Sequence, residues 1–219
     1  MLFKKKASFL IVAAICGSAF MNPILADAGD WLIRSRIINV NPDASSGGLS
    51  GAPTVGVTAD DDATIELDFT YMVTNNLGLE LILATTKHDI TATGTLAGAP
   101  VGSVKVLPPT LTLQYHFAPK ASVRPYAGIG LNYTMFYGSK VSSTLAGAPY
   151  NVTKISYDNS FGLAGQIGVD IDINKKWFLN LDAKYIQIDT KATTTGGTLG
   201  SVKVDLNPLV LGVGIGTRF

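Results

Sequence analysis

Residues 63–72 read ATIELDFTYM, and apolar and polar side chains alternate along this stretch. Every odd position from Ala63 to Tyr71 is apolar, whereas the even positions from Thr64 to Thr70 are polar. Successive side chains of a β-strand point to opposite faces, so this segment would present one apolar and one polar face. The alternation therefore predicts a β-strand.

The same alternation recurs in seven further segments, which makes eight predicted strands. They are residues 31–37, 77–84, 110–117, 127–135, 161–170, 177–185 and 209–218. Three connections are short and contain the turn formers Asn75, Pro119 and Asn174, whereas the other four are long and rich in small residues. This pattern predicts antiparallel hairpins with short turns at one end and long loops at the other.

Each long loop holds one copy of a short phrase. TLAGAP stands at residues 95–100 and 144–149, a near copy (GLSGAP) at 48–53, and a shortened copy (TLGSVKV) at 198–204. Glycine and proline punctuate the phrase, and nothing in it looks large enough to pack. The sequence therefore predicts mobile, soluble tips that are largely dispensable for folding.

The first 26 residues have the layout of a secretory signal peptide. Lys4, Lys5 and Lys6 form a basic region, an apolar run follows, and small residues offer cleavage after Ala26, or alternatively after Ala28. The expected mature chain is residues 27–219, and it contains no cysteine. A disulfide scaffold and a thiolate metal site are therefore excluded.

Charge and histidine content exclude further classes of protein. The mature chain loses three of the 17 basic residues and none of the 16 acidic ones, so it has no basic footprint for nucleic acid. His88 and His116 are isolated in sequence. We expect no metal, no cofactor and no nucleic-acid partner.

The distribution of apolar residues favours a membrane barrel. The polar face carries many glycines, which suits a crowded interior, and aromatic residues cluster near the strand ends at positions 71, 115, 117, 133, 177 and 185. An apolar outer wall with aromatic girdles is typical of outer-membrane barrels, and closure leaves no unpaired strand edge in lipid. The sequence predicts an eight-stranded antiparallel transmembrane β-barrel with both termini in the periplasm. A soluble periplasmic sandwich or a lipocalin-like barrel is the alternative.

Inward parity places charged side chains in the lower and middle lumen. These are Arg34, Arg36, Glu66, Asp68, Glu80, Asp182 and Lys184, together with the polar Asn132 and Gln166. Buried charges need partners, so we predict a salt-bridged plug. A catalytic carboxylate pair is the alternative, but no nucleophile or base is positioned near it, and we expect no enzymatic activity.

Farther up the strands the inward residues become apolar. They are Ile38, Val40, Val104, Val106, Phe136, Ile186, Ile188, Val202, Val204 and Leu206. This pattern predicts an apolar mouth that could receive a hydrophobic solute. Pro108, Pro109 and Pro208 could weaken strand pairing and permit sideways exit into lipid. A bulge at any of these prolines would instead turn the upper apolar residues outward.

Seven segments, in order along the mature chain, resemble the OmpW family of outer-membrane proteins, which includes AlkL-type proteins. They read GDWLIR (29–34), FTYM (69–72), NLGLE (76–80), LPPTL (107–111), RPYAGIGLNY (124–133), AGQIGVD (164–170) and RF (218–219). The resemblance implies an eight-stranded barrel in the Gram-negative outer membrane that helps small hydrophobic molecules pass. A passive surface barrel that serves as a receptor for phage, colicin or host contacts stays open. The terminal Phe219 is the residue type that the barrel-assembly machinery reads in such proteins.

Overall fold

The computed structural model describes residues 27–219, so the predicted signal peptide lies outside the described residues. This part of the chain is almost entirely β-structure. Its strands are β1 (Trp31–Asn41), β2 (Ser45–Ser46), β3 (Val57–Ala59), β4 (Asp62–Met72), β5 (Leu77–Ala84), β6 (Thr86–Ala92), β7 (Pro100–Leu107), β8 (Thr110–His116), β9 (Val123–Val141), β10 (Lys154–Tyr157), β11 (Ser160–Asp172), β12 (Trp177–Ile186), β13 (Asp189–Thr195), β14 (Ser201–Asp205) and β15 (Leu209–Arg218). A 3₁₀ turn (Gly94–Leu96) and one short helix, α1 (Ser143–Ala146), complete the elements. Neither of these helical turns is long and apolar enough to cross a membrane.

Eight strands close into an antiparallel ring, which confirms the predicted barrel. Their order around the ring is β1, β4, β5, β8, β9, β11, β12 and β15, and β15 pairs again with β1. Residues near the two ends of the described chain complete the closure, because Trp31 and Phe219 exchange backbone hydrogen bonds of 3.1 and 3.0 Å.

The outer wall of the ring is apolar. Odd-numbered side chains face outward along the barrel strands, except the buried Thr217 near the end of β15, and Ile129 is 73 % exposed there. A continuous band of exposed large apolar side chains would be unstable in water but matches the acyl chains of a bilayer. Aromatic side chains flank this band, and the rings of Trp31 and Tyr71 lie 5.2 Å apart at the end that holds the termini. The outer wall is therefore the lipid-facing surface.

Above the ring the strands continue as two separate four-stranded sheets. One upper sheet contains β3, β6, β7 and the end of β9, and the other contains β2, β14, β13 and β10. Within residues 27–219 no ladder pair joins the two sheets at the seams between β2 and β3 or between β9 and β10. Serine side chains bridge these seams. Ser46 Oγ lies 2.7 Å from the Val57 nitrogen and 2.9 Å from its carbonyl oxygen, and Ser139 Oγ donates to the Ile155 carbonyl oxygen at 2.7 Å.

Candidate functional site

The lower lumen is filled by ion pairs that centre on two arginines of β1. Arg34 is fully buried and donates to both carboxylate oxygens of Asp170, at 3.2 and 2.9 Å, and to Asp68 Oδ1 at 3.1 Å. Arg36 Nε lies 2.8 Å from Glu66 Oε1. The same guanidinium contacts Asp68 and lies 3.2 Å from Glu80 Oε1. Two adjacent inward positions of one strand thus hold most of the carboxylates of the lumen.

Lys184 and Tyr126 tie the opposite wall into the same network. Lys184 Nζ lies 2.9 Å from Glu66 Oε1 and also contacts Asp182. The Tyr126 hydroxyl donates to Asp182 Oδ2 at 3.0 Å and accepts from Asn180 Nδ2 at 3.0 Å. Because these bonds run across the lumen, they close it to any wide passage. We call this network the plug.

The structure brings all seven charged residues predicted for the lumen into the plug. They are Arg34, Arg36, Glu66, Asp68, Glu80, Asp182 and Lys184, and each is buried. Gln166 also joins, since its Nε2 donates to Asp182 Oδ2 at 2.8 Å. Asn132 does not join the plug, because its side-chain amide instead donates to the carbonyl oxygens of Pro108 and Pro109.

Sequence reasoning missed the lower tier of the plug. Arg124 and Arg218 share Asp172 Oδ1 at 2.7 and 2.6 Å, and both guanidinium groups lie about 5.5 Å from the ring of Phe178. Arg124 and Tyr126 have the same inward parity as the predicted strand, but β9 begins at Val123, four residues before its predicted start. Extending the parity toward the turn would have found them.

Above the plug lies an apolar cavity of about 110 Å³, which we call the chamber. All ten residues predicted for the apolar mouth are on its wall. They are Ile38, Val40, Val104, Val106, Phe136, Ile186, Ile188, Val202, Val204 and Leu206. Their inward parity holds through the proline positions, because Val104 and Val204 are buried whereas Lys105 and Lys203 are exposed. The chamber is of the same order as the roughly 150 Å³ engineered cavity that binds benzene.

The few polar groups of the chamber wall have partners or stay neutral. His88 Nδ1 lies 2.6 Å from the Asp60 carbonyl oxygen and its Nε2 lies 2.9 Å from Thr86 Oγ1. Burial raises the pKa of Tyr157 to about 12, so its hydroxyl is uncharged, and its ring stacks on Phe136 at 5.6 Å. No group of three His, Cys, Asp or Glu side chains in residues 27–219 could hold a metal ion. The wall therefore offers a solute mainly apolar contacts.

The four copies of the repeated phrase lie together over the chamber, at the end opposite the termini. The expectation that nothing in them packs is wrong. The leucine of each copy lines the cavity: Leu49, Leu145 and Leu199 are only 6–7 % exposed, and Leu96 is half-buried against them. One leucine per loop is enough to pack, because the barrel brings four such leucines to one place. We call this arrangement the roof.

The chamber wall is interrupted at Pro108 and Pro109. Ladder pairs join Ile82 to Thr110 and Thr86 to Val106, but none joins residues 83–85 to residues 107–109. The side chain of Thr85 alone reaches across, to the Val106 carbonyl oxygen at 3.3 Å.

A second interruption, at Pro208, is better closed. The amide of Ile186 donates to the carbonyl oxygen of Pro208 at 3.3 Å. The amide of Leu206 donates to the carbonyl oxygen of Ile188 at 2.8 Å. The gap at Pro108 and Pro109 is therefore the weaker of the two places in the wall.

Comparisons with known proteins agree with this architecture. A family model described as the OmpW family matches residues 27–219. Outer membrane protein W of Escherichia coli (strain K12) is 36% identical over 216 residues, which cover 97% of this chain and 97% of that protein. The dibenzothiophene metabolism operon protein DoxH of Pseudomonas sp. (strain C18) is 30% identical over 225 residues, covering 98% of this chain and 99% of that protein. The crystal structure of the outer membrane protein OprG from Pseudomonas aeruginosa superposes with a TM-score of 0.80 and 34% identity, covering 88% of this chain and 97% of that one.

Proposed function

Because the chain belongs to the OmpW family of Gram-negative outer-membrane barrels, we propose that it carries small hydrophobic molecules from outside the cell into the outer membrane. The observation that carries this proposal is the position of an apolar chamber directly above a plug that fills the lumen. A wide aqueous pore would have neither feature. The proposed partners are outer-membrane lipid and small hydrophobic solutes.

The chemistry of the chamber supports an apolar cargo. Its wall is built mostly from valine, isoleucine and leucine side chains, with no unpaired charge among them. Apolar concave surfaces with few polar groups are the usual form of a site for a hydrophobic ligand. A relative named for a dibenzothiophene metabolism operon fits the same class of cargo, since dibenzothiophene is a flat aromatic molecule.

The plug and the proline gap support sideways release. A solute moving straight down would have to separate Arg36 from Glu66 and Asp68, which would leave buried charges without partners at high cost. The gap at Pro108 and Pro109 interrupts the strand pairing of the chamber wall, and Ala84 and Pro108, on its two sides, both line the chamber. We propose that the solute leaves there, between β5 and β8, into the acyl chains. Since each plug carboxylate has a cationic partner, we keep the prediction that the chain is not an enzyme.

Charge placed on the chamber wall tests the proposal. In the variant Ile186→Asp with Val204→Asp, two carboxylates would stand where an apolar solute must pass. The matched control is Gln187→Asp with Lys203→Asp, which puts the same side chains on exposed neighbouring positions. Uptake of a labelled aromatic hydrocarbon by cells producing each variant would be measured, with the resistance of the folded barrel to detergent as the folding check.

We expect uptake to fall to the background of cells that lack the protein for the chamber variant and to stay at the wild-type level for the control. A chamber variant that folds, inserts and transports normally would reject the transport route. The reading as a passive receptor for phage, colicin or host contacts would then be the better one. Recognition of Phe219 by the barrel-assembly machinery stays a separate prediction, to be checked by deleting that residue and measuring insertion.

A further inference from the structure

The four loops that carry the repeated phrase hydrogen bond to one another in a ring. Between the fourth copy and the first, the amides of Gly51 and Ser50 donate to the Leu199 and Ser201 carbonyl oxygens at 3.0 and 2.9 Å. Between the first and the second, the amide of Thr95 donates to the carbonyl oxygen of Thr54, next to the first copy, at 3.1 Å.

The other two joins complete the ring. The hydroxyl of Ser142, just before the third copy, donates to the Pro100 carbonyl oxygen of the second copy at 2.6 Å. The amide of Thr153, just after the third copy, donates to the carbonyl oxygen of Thr195, just before the fourth, at 2.8 Å. Every loop is thus held by both of its neighbours.

Close backbone contacts show that the ring is a specific arrangement. At Gly51, a methyl group in place of the α-hydrogen would overlap the Thr198 carbonyl oxygen of the neighbouring loop. The same holds at Gly197 against the Tyr150 carbonyl oxygen, so only glycine allows these loops to meet. Each copy of the phrase therefore supplies a leucine that faces the chamber, and glycines in the first and fourth loops let the backbone approach a neighbouring loop.

We propose that the roof is the outer gate of the chamber and that Leu49, Leu96, Leu145 and Leu199 determine which solutes are admitted. This inference rests on the proposed transport of hydrophobic molecules and adds the element that selects them. These four side chains have no hydrogen-bonding group and close the entrance to the chamber, so an ion or a strongly polar molecule passing them would lose its hydration without compensation. The bulk of the leucines sets an upper limit on solute size.

The two seams of the upper barrel give the gate a place to open. The first copy lies between β2 and β3 and the third lies between β9 and β10, so these two copies cross the seams that serine side chains bridge. The upper sheets can separate there without breaking a β-ladder. Opening there costs a few hydrogen bonds, each worth about 1 kcal/mol net, and the apolar contacts that the roof leucines make.

A buried reporter tests the opening directly, without any transport assay. Val152, next to the third copy, is 1 % exposed and packs with the roof leucines. Cysteine at this position would be the only one in the mature chain, because Cys16 lies in the predicted signal peptide. The rate at which a water-soluble maleimide labels Val152→Cys reports how often the roof parts.

The comparison pairs two identical substitutions in one loop. Gly51→Ala forces the first copy away from the fourth, whereas Gly47→Ala has no atom within 4 Å of the new methyl group. We expect about a tenfold faster labelling with Gly51→Ala, the factor for a loss of roughly 1.4 kcal/mol of closing contacts, and no change with Gly47→Ala. Equal rates in both variants would overturn the closed gate.

A cross-link tests whether opening admits the solute. Ser46 and Thr93 stand on opposite sides of the seam between β2 and β3, because a methyl group in place of the Gly56 α-hydrogen would lie 2.7 Å from the hydroxyl oxygen of each. A disulfide in Ser46→Cys with Thr93→Cys can therefore lock this seam. Asp189→Cys with Asp205→Cys joins exposed ladder partners within a single hairpin, below the roof, and is the control. We expect hydrocarbon uptake to fall several-fold when the first pair is oxidised, to return with reductant, and to stay constant for the second pair.

If wild-type cells take up hydrocarbon but the lock changes nothing, the gate is wrong and the transport function stands. If wild-type cells take up none, the transport function itself fails.

Selectivity separates a gating role of the leucines from a purely structural one. Leu49→Ala with Leu199→Ala should raise the uptake of a three-ring aromatic hydrocarbon relative to a one-ring one. Ala97→Ser with Ala146→Ser, at exposed positions of two copies, should leave this ratio unchanged. Proportional loss of both uptakes in the leucine variant would show that the leucines only hold the roof together and would overturn their role in selection.

Discussion

Arg36 and Ile38 are two residues apart on β1, both are almost fully buried, and their surroundings are opposite. Arg36 lies within reach of the carboxylates of Glu66, Asp68 and Glu80. Ile38 lines the apolar chamber. The alternation along β1 places both side chains in the lumen. The residues on the neighbouring strands decide whether each side chain forms ion pairs or apolar contacts there. The lower lumen is held by charge and filled, whereas the upper lumen is apolar and partly hollow.

The largest effect should follow from removing the central charge of the plug. Arg36→Met keeps most of the volume but leaves the surrounding carboxylates without this cation. Breaking a buried ion pair by removing one partner costs about 3–5 kcal/mol. We expect a loss of this size in the free energy of unfolding, measured by urea titration of the barrel in lipid vesicles. A loss below about 1 kcal/mol would show that the plug contributes little to stability.

A smaller effect is expected two residues higher on the same strand. Ile38→Ala removes three buried carbon atoms, which corresponds to about 2 kcal/mol at roughly 0.8 kcal/mol per methylene. Little further penalty for a new cavity should be added, because Ile38 already faces the chamber. The same urea titration would check this value. A cost as large as that of Arg36→Met would contradict the distinction between a filled and a hollow region.

The hydroxyl of Tyr126 gives a milder test of the plug. Tyr126→Phe removes the bonds to Asp182 and Asn180 but keeps the ring, and both partners retain other bonds, to Lys184 and Arg36 respectively. Net hydrogen bonds of this kind contribute about 1 kcal/mol each. We expect a loss of about 1–2 kcal/mol in unfolding experiments, with Tyr185→Phe, at an exposed position of the outer wall, as the control. An unchanged midpoint would mean that the hydroxyl is not part of the network that closes the lumen.

The smallest effect should come from the exposed ion pair on the upper outer surface. The side chains of Lys87 and Asp89 are 3.1 Å apart but 55% and 64% exposed. Exposed pairs contribute no more than about 1 kcal/mol and are screened by salt. Lys87→Ala should therefore shift the free energy of unfolding by less than about 0.5 kcal/mol. A shift comparable to that of Arg36→Met would mean that ion pairs outside the lumen matter equally.

The closed ring and the inward residues could be predicted because alternation is a local signal. Each of the ten residues predicted for the mouth points inward as the alternation along the chain predicts, and the prolines that interrupt the strands at 108, 109 and 208 did not reverse this direction. Arg124 and Tyr126 were missed for an equally local reason, because the predicted strand began too late.

The roof could not be predicted in this way. A phrase of small residues with one leucine has no partner within its own loop, and its packing appears only when four loops that are distant in sequence converge. Gly51, one of the glycines that suggested mobility, instead lets two neighbouring backbones touch. The repeat itself carried the information, since a leucine at the same place in four loops is a common requirement rather than a coincidence.

The cross-braced lumen has a consequence for the cell that makes this protein. An open pore in the outer membrane admits salts, detergents and water-soluble antibiotics together with nutrients. A barrel whose lower half is occupied by mutually neutralising side chains should conduct almost no current in a planar bilayer, even when many copies are inserted. The outer membrane would then stay closed to ions whatever number of copies it holds.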